Sequence, residues 1–150
     1  MGQPTNNSTT IAISKQTIFE LVCNHFAKQQ RPSMSISAAG NAFCYYRHPL
    51  DPTIQCGVGC LIPDRLYQPD FERNSVNALA GKVVSDSPET AQLNRLNRNI
   101  ELLTNIQSCH DNSYNLTQLK LNLTNIAKDF NIRSYTKAIN KIERWEVPTA

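Results

Sequence analysis

The sequence predicts an α+β fold: an N-terminal helix, a β-hairpin, and a mostly helical C-terminal half made of an αα-hairpin and a last helix. Three observations support this prediction. Apolar residues recur every three to four positions near the N-terminus and through the C-terminal half, as in amphipathic helices. Between these regions, two short apolar and aromatic runs flank a turn that contains two prolines. Leu, Ile, Val and Phe supply 36 of the 150 residues, which is enough for one hydrophobic core.

The first predicted element is a helix that follows a polar segment. Residues 1–13 are rich in Ser, Thr and Asn and are predicted to form a flexible tail, so a single domain is expected over residues 14–150. Ser14 is a good N-cap for a helix over about 15–30, and Pro32 ends it. The apolar side of this helix carries Ile18, Leu21, Val22, His25 and Phe26.

The hairpin is predicted from two candidate strands, 42–47 and 54–62, which follow a loop over 33–41. The intervening residues 48–52 contain both prolines and read as a turn.

A register for this hairpin follows if Cys44 lies opposite Cys56, because Tyr46 then faces Ile54. The Cβ atoms of directly opposed residues lie ~4.5–5.5 Å apart, so the two cysteines would be near disulfide range but wider than its ideal. Since side chains alternate along a strand, one face of the hairpin is apolar and is expected to be buried. The residues of that face are Cys44, Tyr46, Ile54, Cys56 and Val58.

The C-terminal half is predicted to be helical after an irregular stretch over 68–86 that could carry a short helix. Ser87, followed by a proline, predicts the N-cap of a helix that runs to about Ser108. Two further helices are predicted over about 116–130 and 135–145. The helix that ends near Ser108 and the helix over 116–130 carry leucine stripes of only about two heptads each. Stripes this short favour a packed αα-hairpin over a coiled coil.

Charge is scarce and balanced along the chain. Only 18% of the residues are charged, against a typical ~25%, while Asn, Gln, Ser and Thr supply 47 residues. The net charge of +3 is a sum of small opposed regions, of which 41–90 carries −2. No apolar run approaches the ~20 residues of a membrane span and no signal-peptide pattern opens the chain. A cytoplasmic protein without membrane contact is therefore expected.

The densest basic group lies in the last predicted helix. Lys137, Lys141 and Arg144 are spaced i, i+4, i+7 and would share one helical face. A solvated helix face is the favoured interpretation. Weak nucleic-acid binding is the alternative, although a nucleic-acid binder normally concentrates its Lys and Arg residues into a stripe.

The five cysteines are an odd number without a secretory signal, so reduced thiols are expected. The candidates for a metal site are Cys44, Cys56, Cys60 and His110. The spacing of Cys56 and Cys60 is close to that of a zinc-ligand pair, but residues i and i+4 of a strand lie ~13 Å apart. Buried thiols and no cofactor are favoured. Zinc stays open as the alternative if this glycine-containing segment folds into a tight knuckle.

Catalysis by a cysteine is a further alternative. Cys109, His110 and Asp111 resemble a catalytic triad in sequence, but successive helical residues point about 100° apart and are not expected to serve each other. A triad assembled in space, such as Cys56 with His110, stays open because a nucleophile needs only a base within hydrogen-bond reach.

Four stretches of the chain form a recognisable pattern. Residues 44–47 read Cys-Tyr-Tyr-Arg, and residues 56–64 read Cys-Gly-Val-Gly-Cys-Leu-Ile-Pro-Asp and lead to Tyr67. Residues 72–76 read Glu-Arg-Asn-Ser-Val, and residues 106–111 read Ile-Gln-Ser-Cys-His-Asp. Over about 15–130 the chain resembles a family of small bacterial, phage and prophage proteins. The pattern of that family is Cys-x-Tyr-Arg, then Cys-x-x-Gly-x-Leu-Ile-Pro-Asp-x-x-Tyr, with a later Leu-Gln-x-x-His-Asp. The resemblance implies a setting on a mobile genetic element and no particular mechanism.

The expected function is that of a non-enzymatic interaction protein that modulates another protein. A neutral, Asn-rich surface suits hydrogen-bonded protein contacts better than phosphate contacts. Arg47, His48 and Leu50 at the hairpin tip, together with Tyr67, are the candidate contacts, since aromatic residues and Arg on loops are frequent anchors. A protein partner is expected, and nucleic acid is not.

Overall fold

The computed structural model describes residues 14–82 and 99–149. Within these ranges a helix is followed by a two-stranded antiparallel sheet, three short 3-10 segments and a mostly helical C-terminal half, which confirms the predicted α+β class. The predicted tail over 1–13 and the helix start at Ser87 lie outside the described residues. The helices are α1 (Lys15–Gln29), α2 (Val76–Lys82), α3 (Ile100–Asn112), α4 (Leu116–Asp129) and α5 (Tyr135–Asn140), and the strands are β1 (Met34–Ile36) and β2 (Ala42–Cys44).

Helix α1 agrees with its prediction to within a residue because local signals set both of its ends. The Ser14 hydroxyl accepts a hydrogen bond from the Thr17 N–H at 3.1 Å, as an N-cap does. At the other end, Gln30 adopts a left-handed conformation with φ of 64°, and its N–H donates to the Phe26 carbonyl. The buried residues of the helix are Ile18, Phe19, Val22, Cys23 and Phe26.

The hairpin is built differently from its prediction. Strand β2 pairs with β1, which lies inside the segment predicted to be a loop, in a register that places Met34 opposite Cys44. A tight turn joins the strands: the Ser37 N–H donates to the Asn41 carbonyl at 2.8 Å, and Gly40 takes a positive φ of 86° that suits glycine. Three-residue strands are too short to show periodicity, so the sequence does not reveal β1.

The predicted second strand over 54–62 is wrong. One isolated bridge joins Arg47 to Gln55, after which the chain turns into a 3-10 segment at Gly59–Leu61. The bridge sets a register two residues away from the predicted one, so the Cys56 N–H donates to the Tyr46 carbonyl at 3.3 Å. A shift of two residues keeps every side chain on its face, and Tyr46, Cys56 and Val58 are therefore buried as expected.

The C-terminal half contains the predicted αα-hairpin, in which α3 packs against α4. The last helix, however, ends at Asn140 instead of near residue 145. Beyond it, the Glu146 N–H donates to the Gln30 carbonyl at 2.9 Å and the Trp145 indole N–H donates to the Ser113 carbonyl at 3.2 Å. These tertiary contacts hold the chain in a non-helical path. No helix in the two described ranges is long and apolar enough to cross a membrane.

The core forms where α1 meets the C-terminal half. The ring of Phe26 lies 4.9 Å from that of Trp145 and 6.1 Å from that of His110, measured between centroids. This aromatic cluster joins α1, α3 and the segment after α5. The other fully buried apolar residues include Ile18, Phe19, Val22, Leu102, Ile106, Leu119, Leu123 and Ile142.

Candidate functional site

Arg47, predicted as a contact at the hairpin tip, is turned inward instead. Only 8% of its surface is exposed. Its guanidinium donates to the Ile62 carbonyl at 2.8 Å, lies 3.0 Å from the Asp64 carboxylate and stacks over the Tyr67 ring at 4.4 Å from the centroid. Arg47 and Tyr67 therefore contact each other and tie the hairpin to the 3-10 segments. Arg47 is therefore not exposed at the tip, and Tyr67 is half-buried beneath its guanidinium.

Glu72 completes this arrangement, and the sequence interpretation did not assign it a role. Its carboxylate accepts the Tyr46 N–H at 2.8 Å, the Arg47 N–H at 3.0 Å and the Tyr67 hydroxyl. A carboxylate thus takes the place that carbonyls of a neighbouring strand would occupy. We call the residues Arg47, Asp64, Tyr67 and Glu72 the hairpin brace, since together they fix the strand that leads to the tip.

Two of the predicted metal ligands, Cys44 and His110, lie close together beside strand β2. The ligand atoms of Cys44, His110 and Asp111 all lie within 4.8 Å of one another, and no other such group of three occurs among residues 14–82 and 99–149. His110 and Asp111 hydrogen-bond at 2.8 Å although they are consecutive in α3, so the expectation that they cannot serve each other is wrong. Both side chains bend toward the flank of the helix that faces β2 and Ser33.

The hydrogen bonds of His110 determine its tautomer. The Ser33 N–H donates to its Nε2 at 2.8 Å, so this nitrogen carries no proton. The proton of the neutral ring is then on Nδ1, which donates to Asp111 Oδ1. His110 is fully buried. The ring therefore works as a bridge from the backbone of Ser33 to the carboxylate.

The hydrogen bonds of His110 differ from those of a catalytic triad. In a triad the imidazole bonds both the nucleophile and the carboxylate, whereas the two ring nitrogens of His110 bond the Ser33 N–H and Asp111. Cys44, His110 and Asp111 are residue types that can hold a metal, and binding through His110 Nδ1 would require that nitrogen to give up its proton. The predicted ligands Cys56 and Cys60 are not part of the group. Cys56 Sγ accepts from the Gly59 N–H at 3.2 Å, and the Cys60 thiol donates to the Gly57 carbonyl at 3.2 Å.

The surroundings of the five cysteines disfavour the thiolate form. Burial raises the pKa of Cys44 far above its usual value, and the neighbouring Asp111 carboxylate raises it further. Burial also raises the pKa of Cys23, Cys60 and Cys109 to about 12 each, and it raises the pKa of Cys56 as well. A thiolate nucleophile is disfavoured at every one of these positions.

Cys44 is the half-buried thiol on which this conclusion is most easily tested. Because its raised pKa lowers the thiolate fraction at any pH between 7 and 9, iodoacetamide should alkylate it at least ~10-fold more slowly than a cysteine of the unfolded chain. Asp111→Asn removes the carboxylate charge and should speed the reaction several-fold, as measured by peptide mass spectrometry. Asp129→Asn, at an exposed position, serves as the control. Equal rates in both variants would contradict the role given to Asp111.

The remaining predicted contacts, His48 and Leu50, lie on a loop over 48–54 that we call the tip loop. Its conformation is fixed by its own hydrogen bonds: the His48 N–H donates to the Ile54 carbonyl at 2.9 Å, and the Leu50 N–H donates to His48 Nδ1 at 3.1 Å. The hydroxyl of Thr53 donates to the Asp51 carboxylate at 2.6 Å, and this bond lowers the pKa of Asp51. Leu50 is 90% exposed on this ordered loop.

A groove of about 570 Å³ runs between the tip loop and the last described residues, and we call it the tip groove. It is lined by apolar and polar side chains in similar measure. The lining residues are Arg31, Pro32, Met34, His48, Leu50, Asp51, Ile54, Glu146, Val147, Pro148 and Thr149. The exposed leucine thus stands at the margin of a concave surface.

A second depression of about 370 Å³ lies on the side of the sheet near Cys44. Among residues 14–82 and 99–149, its wall contains two carboxylates and neither Lys nor Arg, so we call it the acidic cleft. No described residue donates to the buried Gln107 Oε1, while the Gln107 Nε2 donates to Asp111 Oδ1 at 3.0 Å. The lining residues are Cys44, Tyr46, Glu72, Asn74, Ser75, Val76, Thr104, Gln107, Ser108, Asp111 and Asn112.

The basic residues predicted as a nucleic-acid contact do not share a helical face. Lys137 is exposed on α5, and Lys141 follows the helix end, where its ammonium donates to Asn24 at 3.3 Å. Arg144 lies beyond the helix because α5 ends at Asn140. The spacing that suggested a basic stripe therefore has no helix to support it.

The chain matches no family model, no curated protein and no solved structure. The function therefore has to be argued from the geometry of its surfaces.

Proposed function

We propose that the chain is a non-enzymatic binding protein that contacts a protein partner through Leu50 and the tip groove. The single observation that carries this proposal is the 90% exposure of Leu50 on a loop held by its own hydrogen bonds. Burying one leucine side chain is worth about 1.5–3 kcal/mol. A loop that is already ordered loses little conformational entropy when it binds, so most of that energy remains available for affinity.

The surroundings of Leu50 support a folded partner with an apolar pocket. The leucine projects from a loop whose neighbouring side chains, Asp51 and Thr53, are polar and exposed. Such a projecting apolar residue with a polar surround fits the usual anchor of a protein interface. Beside it, the half-buried side chains of Ile54 and Val147 in the tip groove offer apolar surface to the rim of the same partner.

The hairpin brace gives this proposal a role for the recognisable motif. Arg47, Tyr67 and Glu72 fix the strand directly below the tip loop, and a fixed base keeps Leu50 in one position. The resemblance to phage and prophage proteins supports a host or phage protein as the partner. The raised cysteine pKa values and the Nδ1 proton of His110 give less support to an enzyme or a zinc protein.

The test compares two leucine variants of the full chain. Tagged protein is incubated with lysate of the organism that encodes it, and co-purified protein and nucleic acid are quantified. Leu50→Asp should reduce recovery of the partner protein at least ~10-fold, which corresponds to about 1.4 kcal/mol. Leu121→Asp introduces the same charge at a leucine that is 59% exposed on α4, and it should leave recovery unchanged.

Two results would refute the proposal. One is equal recovery of the same proteins with both variants. The other is recovery of nucleic acid in place of a protein partner. Unfolding curves of both variants should overlay that of the wild type, because both leucines are exposed.

A further inference from the structure

We infer that the outer edge of β2 binds an extended peptide that places a Lys or Arg side chain in the acidic cleft. This surface is distinct from the tip loop, and either proposal can fail without the other. The inference combines the direction of the backbone amides in β2, the charge of the adjacent cleft and the position of the Cys44 side chain.

The ladder between β1 and β2 leaves the amides of alternate residues directed outward. The Tyr45 N–H donates to the Ser33 carbonyl at 2.9 Å, and the Ser35–Phe43 pair follows two residues along. In an antiparallel pair, hydrogen-bonded and non-hydrogen-bonded residues alternate. Ala42 and Cys44 therefore direct their N–H and C=O groups away from β1. These are the groups with which another strand pairs.

Further along the same edge, a side chain already takes the place of a partner strand. Glu72 accepts the N–H groups of Tyr46 and Arg47. Its carboxylate ends the open edge and at the same time forms part of the acidic cleft wall. Within the part of the chain that the structure describes, no third strand pairs with β2, so the open edge covers the short stretch from Ala42 to Cys44 and leads into the cleft.

The cleft has the charge of a receptor for a cationic side chain. Glu72 and Asp111 are the charged residues among the eleven described residues that line it, and none of the eleven is Lys or Arg. No described residue donates to the buried Gln107 Oε1, and the N–H groups of an ammonium or guanidinium would supply that donor. This acidic surface stands out in a chain whose net charge is +3.

The position of Cys44 explains why a peptide suits both features at once. Directly opposed residues of adjacent strands project to the same face, with Cβ atoms ~4.5–5.5 Å apart. The Cys44 side chain projects to the face where its thiol meets Asp111. A peptide residue paired with Cys44 would therefore direct its side chain toward Asp111. A free amine could bind in the cleft but would make no hydrogen bonds to the β2 backbone.

The test selects peptides from a phage-displayed library of random dodecapeptides against the full chain. Enriched peptides should carry Lys or Arg flanked by β-forming residues. A fluorescein-labelled selected peptide should bind Asp111→Asn about 5- to 10-fold more weakly than the wild type in an anisotropy titration. Ala42→Pro should weaken binding at least ~10-fold because it removes an outward N–H, whereas Ala42→Ser keeps that group and should bind as the wild type does.

Amide hydrogen exchange of the wild type provides a second measurement that needs no variant. Saturating peptide should slow exchange at Ala42 and Cys44. Three results would overturn the inference: no enrichment of peptides, enriched peptides without a basic residue, or equal binding by Ala42→Pro and Ala42→Ser. Loss of binding in Leu50→Asp alone would also overturn it, because the peptide would then occupy the tip.

Discussion

Replacing Gly59 by alanine is expected to unfold the chain or to lower its free energy of unfolding by at least about 3 kcal/mol. A Cβ at this position would lie 2.0 Å from the Tyr46 carbonyl oxygen and 2.7 Å from the Tyr46 carbonyl carbon. Those atoms belong to the backbone, so no side-chain rotation relieves the clash. Urea unfolding followed by the fluorescence of Trp145, the single tryptophan, measures the loss.

Gly40→Ala is the matched control for this substitution. Gly40 has a positive φ of 86°, and nothing lies within 4 Å of a Cβ built there. The variant should lose only about 1–2 kcal/mol, which is the cost of a left-handed conformation for alanine. If Gly59→Ala were as mild as Gly40→Ala, the segment after Cys56 would not pack on the hairpin as described.

His110→Ala is expected to lower the free energy of unfolding by about 3–5 kcal/mol. It removes a fully buried ring from the cluster with Phe26 and Trp145. It also leaves the buried Ser33 N–H without an acceptor. The same urea titration measures this loss. Adding Zn²⁺ or a chelator to the buffer should not change its size.

His110→Gln distinguishes the hydrogen bond from the packing. A glutamine Oε1 can take the place of Nε2 and accept the Ser33 N–H, so this variant should recover about 1 kcal/mol relative to alanine. Equal losses in both variants would mean that the bond to Ser33 contributes nothing. A loss that appears only when Zn²⁺ is present, and disappears when a chelator removes it, would mean that His110 is a ligand.

Local signals in the sequence predict the helices, and tertiary contacts explain the errors. The Ser14 cap and Pro32 define α1, since each acts on its own part of the backbone. Strand β1 could not be predicted because its pairing depends on where β2 lies, not on its own three residues. The end of α5 depends on Trp145 reaching Ser113, which the helical spacing of the sequence does not contain.

The sequence identifies several residues of the candidate site, but it does not predict how they are arranged. Leu50 was expected at the tip and is exposed there, but Arg47 is buried because it stacks on Tyr67. The role of Glu72 was hidden, since a carboxylate that accepts two backbone N–H groups is recognisable only in three dimensions. Asp111 was seen beside His110, but nothing local showed that β2 would bring Cys44 to them.

The most direct measurement of the central claim is site-specific photo-crosslinking. A photoreactive amino acid replaces Leu50 in one version of the full chain and Leu121 in another, and both are irradiated in cells of the natural source. We expect a discrete covalent adduct with another protein from position 50 and none from position 121. Absence of an adduct at position 50, or the same adducts from both positions, would contradict binding through the tip.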